Sequence, residues 1–577
     1  MTTRTPDSAW DLTPGTIALP SQPRRHVGKA CERCRQQKIK CNGESPCTRC
    51  VRLSIPCIMR RVTRQRAKQP KGPAPPDDSH LIRTALKPVR IKDEATGNTA
   101  VYGPTSTTAL LYAIASRNRN PEDNQSQGFV DADASIEAFK YHAFFFENYN
   151  QTLLQRVSLT PPMCLMTIPN DILQFFLNRY VGTAWLMLPM QSPTQLGGLF
   201  VSSYNALSQN SPPPLFHPLL LYQLAMGSLS TMQGELSDML AQEGELVASG
   251  GVYLTPEMEL QLNILKIQYY SEIGSFDKAY SLLGHVTSRL YATGLYLEPH
   301  SPTVKRLLRV VITRERYICV ALGRPLIIGA CIQVCEDDAK PVHKFISGLF
   351  RICCSALRIQ QPQNEKFDQL WNTVWTAHAR LKTFWEEQEP ILNTLGPEPF
   401  NEHLSLNAIM YEYAVLTNLK PLLLYFGYKT SLEAKESSPS ISQTDISSSS
   451  SSSSSSTLDV SDPRLSTAGE IALSSAKRII SLVCGICERG SIAKVRHPAF
   501  REAYAHNAQD LPLNSFHLET ACVALISHGV WFRNSPEVWE SLDKGIACLE
   551  SLQYQRAASM RLAGIRAALE QSGLTRM

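Results

Sequence analysis

Between residues 31 and 57 stand six of the chain's sixteen cysteines, Cys31, Cys34, Cys41, Cys47, Cys50 and Cys57; the other ten are scattered through the rest of its 577 residues. The spacing is C-x2-C-x6-C-x5-C-x2-C-x6-C, two halves of one rhythm on either side of the turn "NGESP". Each C-x2-C pair can grip one metal ion, with the third cysteine of its half returning from the end of a short helix. Six thiolates give two zinc ions four ligands each only if two sulfurs are shared. Sharing also leaves a smaller net negative charge than two separate four-cysteine sites. Thiolate sulfur suits zinc, which asks for a tetrahedron and no redox chemistry. Neither a chance cluster nor a redox pair accounts for six positions in one register.

Charge shows what kind of segment carries these thiols. Residues 22–71 hold fifteen Lys and Arg against two Glu, leaving 42 basic and 49 acidic residues elsewhere. A basic head thus precedes a mildly acidic body. A basic block around a cysteine cluster is an electrostatic footprint for a polyanion, and double-stranded DNA is the leading partner. Between residues 23 and 71 there is no Phe, Trp or Tyr. A non-specific nucleic-acid-binding or architectural protein that stacks bases needs such rings, whereas major-groove reading does not. The opening "MTTRTPDSAWDLTPG" has no apolar segment behind a basic start, and the best apolar stretch, 306–330, is broken by Arg309, Arg314, Arg316 and Arg324. Neither a secretory signal nor a membrane span is expected, and thiols inside the cell stay reduced.

The cysteine stretch resembles the fungal binuclear zinc cluster, the Zn(II)2Cys6 DNA-binding domain, with every ligand position at a spacing that family allows. The resemblance implies a fungal source, a place in the nucleus and a pair of Zn²⁺ ions, bridged by Cys31 and Cys47 as the first and fourth cysteines. It puts Lys38 at the family's base-contacting position, over a GC-rich, CGG-type triplet. Guanine presents N7 and O6 as acceptors, natural targets of a lysine ammonium. "RCRQQKIKC" reads as a short helix begun at the first metal, with Arg33, Arg35, Lys38 and Lys40 projecting from it. Arg33, Arg35 and Lys40, with Arg49 and Arg52, are expected on phosphates, contacts that position without specifying. Gln37 stands where the family often has a second basic residue, and Pro46 looks like its turn proline.

Past the cluster, Arg60, Arg61 and Arg64, followed by Arg66, Lys68 and Lys71, extend a phosphate track or serve as a nuclear import signal. Pro70, Pro73, Pro75, Pro76 and Pro88 would break a zipper, so the choice between a monomer and a homodimer joined through the body stays open. The body reads helical. "LTPEMELQLNILKIQYYSEIG" has Thr255 as a cap, Pro256 in the first turn and a stripe of Leu260, Ile264 and Ile267. "SFDKAYSLLGHVTSRLYATGL" follows with Ala279, Leu282, Leu283, Val286 and Leu290 on one face, Gly274 before it and Gly294 as a stop. This pair and the basic helix ending in "ALGRPL" resemble the middle homology region of the fungal-specific transcription factor domain. Ala279, Leu282, Gly284, Arg289, Gly294, Leu295, Gly323, Arg324 and Pro325 carry the likeness. It implies an all-helical regulatory body, in some members a sensor of a small effector. Gly323, Arg324 and Pro325 themselves read as a helix-ending turn with a packed arginine.

The expected fold is a small binuclear zinc cluster domain of two short, metal-held helices, followed by a large all-α regulatory domain with disordered linkers. Its parts are a disordered tail over 1–22, the zinc domain over 23–60, a basic, proline-rich linker over 61–100 and the helical domain over 101–577. A disordered serine-rich insertion spans 435–464, with ten consecutive serines at 447–456. "VYGPTS", 101–106, looks like an entry turn. Cys484 and Cys487 form a C-x2-C that reads as helix core, with no partner pair in the sequence. "TFWEEQEPIL", 383–392, is acidic and aromatic but equally an amphipathic helix. There is no H-E-x-x-H, G-x-S-x-G, P-loop or strand-linked G-x-G-x-x-G, so no enzyme is expected. The function expected is a sequence-specific transcription factor of RNA polymerase II genes, working with the transcription machinery and away from membranes. A pathway-specific activator of a secondary-metabolite gene cluster comes first, and a regulator of carbon- or nitrogen-source utilisation second.

Overall fold

Backbone contacts divide the chain into two units, Met1–Pro76 and Asp77–Met577. The computed structural model describes residues 30–58 of the first unit. Of the second it describes 79–92, 99–116, 130–132, 168–182, 184, 190–191, 193–208, 217–229, 234–250, 254–297, 302–328, 341–354, 357, 366–393, 402–436, 462–488, 512–532, 534–552 and 556–576. Arg60, Arg61, Arg64, the N-terminal tail and the serine run lie outside the described residues. The head contains two five-residue helices, α1 (Glu32–Gln36) and α2 (Thr48–Arg52).

The second unit begins earlier than expected and is not purely helical. Residues assigned to a linker form α3 (Ser79–Ala85), β1 (Val89–Lys92) and β2 (Thr99–Tyr102); α4 (Thr107–Ala115) and β3 (Val130–Ala132) follow. The sheet order is β2-β1-β3, with β1 antiparallel to β2 (Val89 opposite Tyr102) and parallel to β3 (Val89 opposite Val130). Alternation supplies the reason: Val89, Ile91, Ala100 and Tyr102 are buried on one face. Strands this short leave little periodic signal in a sequence.

The rest is helical: α5 (Asn170–Gly182), α6 (Pro193–Ser208), α7 (Pro218–Ser228), α8 (Gly234–Ser249), α9 (Pro256–Glu272), α10 (Phe276–Thr293) and α11 (Pro302–Leu322). Next come α12 (Pro341–Cys353), α13 (Phe367–Asn393), α14 (Glu402–Glu436), α15 (Pro463–Glu488), α16 (Pro512–Trp531), α17 (Pro536–Ser551) and α18 (Arg556–Ser572). The Thr255 side chain caps α9 by accepting from Met258 N at 3.2 Å, and Gly294 ends α10 at φ +70°. Leu260, Ile264, Ile267, Ala279, Leu283, Val286 and Leu290 are all buried; Leu282 is half-buried. The α9 stripe widens to nearly the whole helix, Gln261, Asn263, Gln268 and Glu272 included. Helix α14 packs against α12, α13, α15 and α16, and its middle is buried all round, its polar Glu412, Thr417, Asn418 and Lys420 included. The acidic-aromatic stretch lies in α13 and is packed, with Phe384 stacked on Phe345 at 5.8 Å and Trp385 on Tyr411 at 4.8 Å. No helix among the described residues is long and apolar enough to cross a membrane.

Two motifs read separately in the sequence meet in a backbone clasp. Gly103 of "VYGPTS" donates its N–H to the Leu322 carbonyl at 2.9 Å, and Thr105 Oγ1 donates to Val320 O at 3.0 Å. A Cβ on Gly103 would lie 2.0 Å from Gly323 O, and Gly323 itself holds φ +65°. Arg324 donates from Nε to Val101 O at 2.8 Å and pairs with Asp277, between the rings of Tyr102 and Tyr280 at 5.4 and 5.0 Å. Its packed role is as expected. Gly284, by contrast, has open space where a Cβ would go. Gly103→Ala should therefore destabilise the chain by about 2–3 kcal/mol through overpacking. Gly284→Ala should stabilise it by roughly 0.5–1 kcal/mol. Thermal melts of the two variants beside the parent chain measure both signs.

Candidate metal centre and nucleic-acid interface

The two halves of the head repeat one backbone course sixteen residues apart, as the matching hydrogen bonds show. Arg35 N donates to Cys31 O and Val51 N to Cys47 O, both at 3.0 Å; Ile39 N donates to Cys34 O at 2.8 Å and Ile55 N to Cys50 O at 3.0 Å. Each helix starts on a cysteine whose sulfur caps it, Cys31 Sγ accepting from Cys34 N at 3.5 Å and Cys47 Sγ from Cys50 N at 3.4 Å. Each ends on a left-handed residue, Lys38 at φ +53° and Ser54 at φ +50°, which turns the chain back towards the third cysteine. Between the halves, Gly43 sits at φ +82° and the Ser45–Pro46 peptide is cis.

This course gathers the sulfurs into two groups of four, Cys31, Cys34, Cys41 and Cys47, and Cys31, Cys47, Cys50 and Cys57, each with its sulfurs within 4.8 Å of one another. The groups overlap in Cys31 and Cys47, whose sulfurs are 3.8 Å apart. Four thiolates around one point are a zinc site in number and in kind. The capping N–H groups act on the two common sulfurs. Hydrogen bonding from Cys34 N lowers the Cys31 pKa, and that from Cys50 N lowers Cys47 to about 6. Their neighbours move the other way: the hydrogen bond to Cys31 raises Cys34 to about 12, and the one to Cys47 raises Cys50. The capping N–H groups thus favour the ionised form of the two common sulfurs.

Arg33, Arg35, Lys38 and Lys40 are all exposed, as are Arg49 and Arg52. The position of two of them corrects the sequence reading. Helix α1 stops at Gln36, so Lys38 and Lys40 lie on the turn and the irregular segment beyond it. The reason is the left-handed backbone at Lys38, which ends the helix. The two halves differ in what they expose at matching positions: Arg35 against Val51, Gln37 against Leu53, and Lys38 against Ser54. Val51 and Leu53 are 58% and 51% exposed, so the second half, although it keeps exposed Arg49 and Arg52, interrupts its surface with apolar side chains where the first half has Arg35 and Gln37. Spacing by sixteen was visible in the sequence and could have revealed this asymmetry.

Comparison with known proteins agrees with this geometry. Residues 29–66 match the model of the fungal Zn(2)-Cys(6) binuclear cluster domain. The head is a zinc-cluster domain. The thiamine repressible genes regulatory protein thi1 of Schizosaccharomyces pombe is 52% identical over 40 residues, 7% of this chain and 5% of its own. The transcriptional regulator AacuB of Aspergillus aculeatus is 46% identical over 65 residues, 11% of this chain and 8% of its own. A transcription activator of gluconeogenesis from Neurospora crassa is 27% identical over 210 residues, 34% of this chain and 22% of its own. The chain thus covers less than a quarter of each of these relatives. No solved structure matches it.

At the other C-x2-C, α15 packs against α17 and brings Cys548 Sγ within 3.7 Å of Cys487 Sγ, a single cysteine rather than a second pair. Cys484 and Cys487 pack against the apolar core, as read from the sequence. Among the described residues, only the zinc-cluster cysteines gather as a metal-ligand group. Cys31→Ser removes a sulfur from both groups of four and Cys41→Ser from one. Zinc content of the purified full chain, measured by atomic absorption, should fall further in the first variant than in the second; equal losses would contradict the overlap.

Proposed function

We propose that this protein is a nuclear, sequence-specific transcription factor of RNA polymerase II genes. The observation that carries the reading is the overlap of the two sulfur groups beside the exposed cations Arg33, Arg35, Lys38 and Lys40 of the first half. Two zinc ions, bridged by Cys31 and Cys47, hold the head. Lys38 reaches guanine N7 and O6 of a CGG-type triplet in the major groove from the turn after α1. Arg33, Arg35 and Lys40, continued by Arg60, Arg61 and Arg64, bind phosphates and set the register. The helical body is regulatory rather than catalytic and works with the transcription machinery. The left-handed backbone supports the assignment of Lys38, since it places that residue on the outside of a tight turn.

An activator of a secondary-metabolite gene cluster is the first reading of its pathway. Regulation of nutrient use is the second, and the names of two relatives favour it: one regulates thiamine repressible genes and another activates gluconeogenesis. Genome-wide occupancy of the chain in its own host separates the two.

Selection of binding sites from random duplexes by the zinc-loaded full chain tests the core of this reading. A CGG-type triplet should be enriched, singly for a monomer and as two triplets at fixed spacing for a dimer. Lys38→Gln should lose discrimination at the guanines by about 1–3 kcal/mol, while Ser54→Ala should leave it unchanged. Enrichment of no sequence would overturn the regulator and return the chain to a non-specific binder of nucleic acid.

A further inference from the structure

Helices α15 and α17 lie side by side in one register. Lys477 Nζ donates to Glu537 Oε2 at 2.7 Å, Cys484 Sγ donates to Lys544 O at 3.8 Å, and Cys487 Sγ meets Cys548 Sγ at 3.7 Å. The partners are 60, 60 and 61 residues apart, so the two helices run parallel and stay in contact for about three turns. Gly545 sits inside that contact. A Cβ there would lie 2.7 Å from Cys522 Sγ on α16 and 3.1 Å from Ile480 Cδ1 on α15, so the glycine lets the α17 backbone come close to both helices beside the cysteines. Cys484, Cys487, Cys522 and Cys548 collect at this place, and none of them is in a disulfide.

Zinc accounts for the cysteines of the head, but DNA reading has no use for these. A single buried cysteine is an inert apolar side chain. Two sulfurs in contact, one of them open to solvent, are what oxidation turns into a bond. Cys487, in the last turn of α15, is half-buried, whereas Cys548 is 7% exposed and Cys522 wholly buried. An oxidant therefore reaches Cys487 first and finds Cys548 beside it. A disulfide holds its sulfurs about 2.05 Å apart, and side-chain rotation can close the remaining gap where two helices already touch.

We propose that Cys487 and Cys548 are a hydroperoxide-reactive pair that closes into a disulfide joining α15 to α17. The Cys487 thiolate attacks one oxygen of hydrogen peroxide and the O–O bond breaks. The departing hydroxide takes up the thiol's proton and leaves as water, and Cys487 is left as a sulfenic acid. The Cys548 thiolate then attacks that sulfur, the S–O bond breaks and a second water leaves. Two thiols and one peroxide give one disulfide and two waters; the sulfurs are oxidised and the peroxide oxygens reduced. The bond closes a loop that contains α16 and gives the body a second covalent state. The inference goes beyond the proposed function and holds whether or not the head selects a DNA sequence.

The test is disulfide mapping on the zinc-loaded full chain, treated with millimolar hydrogen peroxide, alkylated, and digested with trypsin without reduction. The expected product links residues 479–489 to residues 545–556, is absent before oxidation and is released by dithiothreitol. It should persist in Cys484→Ser and vanish in Cys487→Ser and in Cys548→Ser. The chain unfolded in urea is the control, since its sixteen thiols have no reason to favour this product. Mapping on the parent chain decides the matter even where Cys548→Ser does not fold. Recovery of Cys487 and Cys548 as alkylated thiols after oxidation overturns the proposal. So does a linked product that is lost in Cys484→Ser, or a Cys487 carried on to sulfinic acid with no linked peptide.

Discussion

The head depends on six sulfurs sharing one small volume. Its two helices are five residues each, far below the length at which a helix persists alone. Its buried cluster consists of the cysteines and nothing else, while Val51, Leu53 and Ile58 stand exposed. Among the described residues of the head, no apolar core is available to order this backbone. Metal coordination has to supply what hydrophobic burial supplies elsewhere, and folding and zinc binding become one equilibrium. The sulfur caps at Cys31 and Cys47 make this economical, because the same atoms start both helices and belong to both groups of four.

The body is held by the opposite means. Helices α7, α14 and α16 are buried on almost every side, α9 and α11 on most, and others such as α10 and α17 pack with one apolar face. Against that background the charged groups of the interior stand out. Arg561 and Glu519 are 4% and 3% exposed and pair with each other at 3.2 Å, so their burial is compensated. Lys420, wholly buried on α14, donates to Thr107 Oγ1 at 3.1 Å, and burial lowers it to about 7. Arg314 stands 5.8 Å from the Tyr317 ring centroid and within electrostatic reach of Glu272.

Legibility in the sequence followed the range of the interactions. The zinc head could be read almost whole, since ligand spacing, the turn between the halves and the basic content all lie within some thirty residues of sequence. The α9–α10 pair was equally local, with its cap at Thr255 and stop at Gly294. The clasp of Gly103 on Gly323 joins positions over two hundred residues apart, and the β1–β3 pairing and the Cys487–Cys548 contact are likewise non-local. No window of sequence contains them. The axial helices escaped for another reason: buried on nearly all sides, with polar residues such as Lys420 and Glu519 among the apolar ones, they lack the stripe by which a surface helix is recognised. Lys38 was placed on a helix because composition there is helical, and only backbone geometry reveals the turn.

The internal repeat of the head bears on how much sequence one chain can read. A backbone that repeats after sixteen residues offers two equivalent turns, each ending a short helix on a left-handed residue. Had both carried a cation, one chain would present two reading turns. It does not: Ser54 replaces Lys38, and Val51 and Leu53 replace Arg35 and Gln37. On the proposed reading, base recognition is therefore confined to one half, and a single head can specify no more than one short triplet. Phosphate contacts add affinity without information. Since one triplet recurs throughout any genome, selectivity for a set of genes must come from a second reading head or from the body.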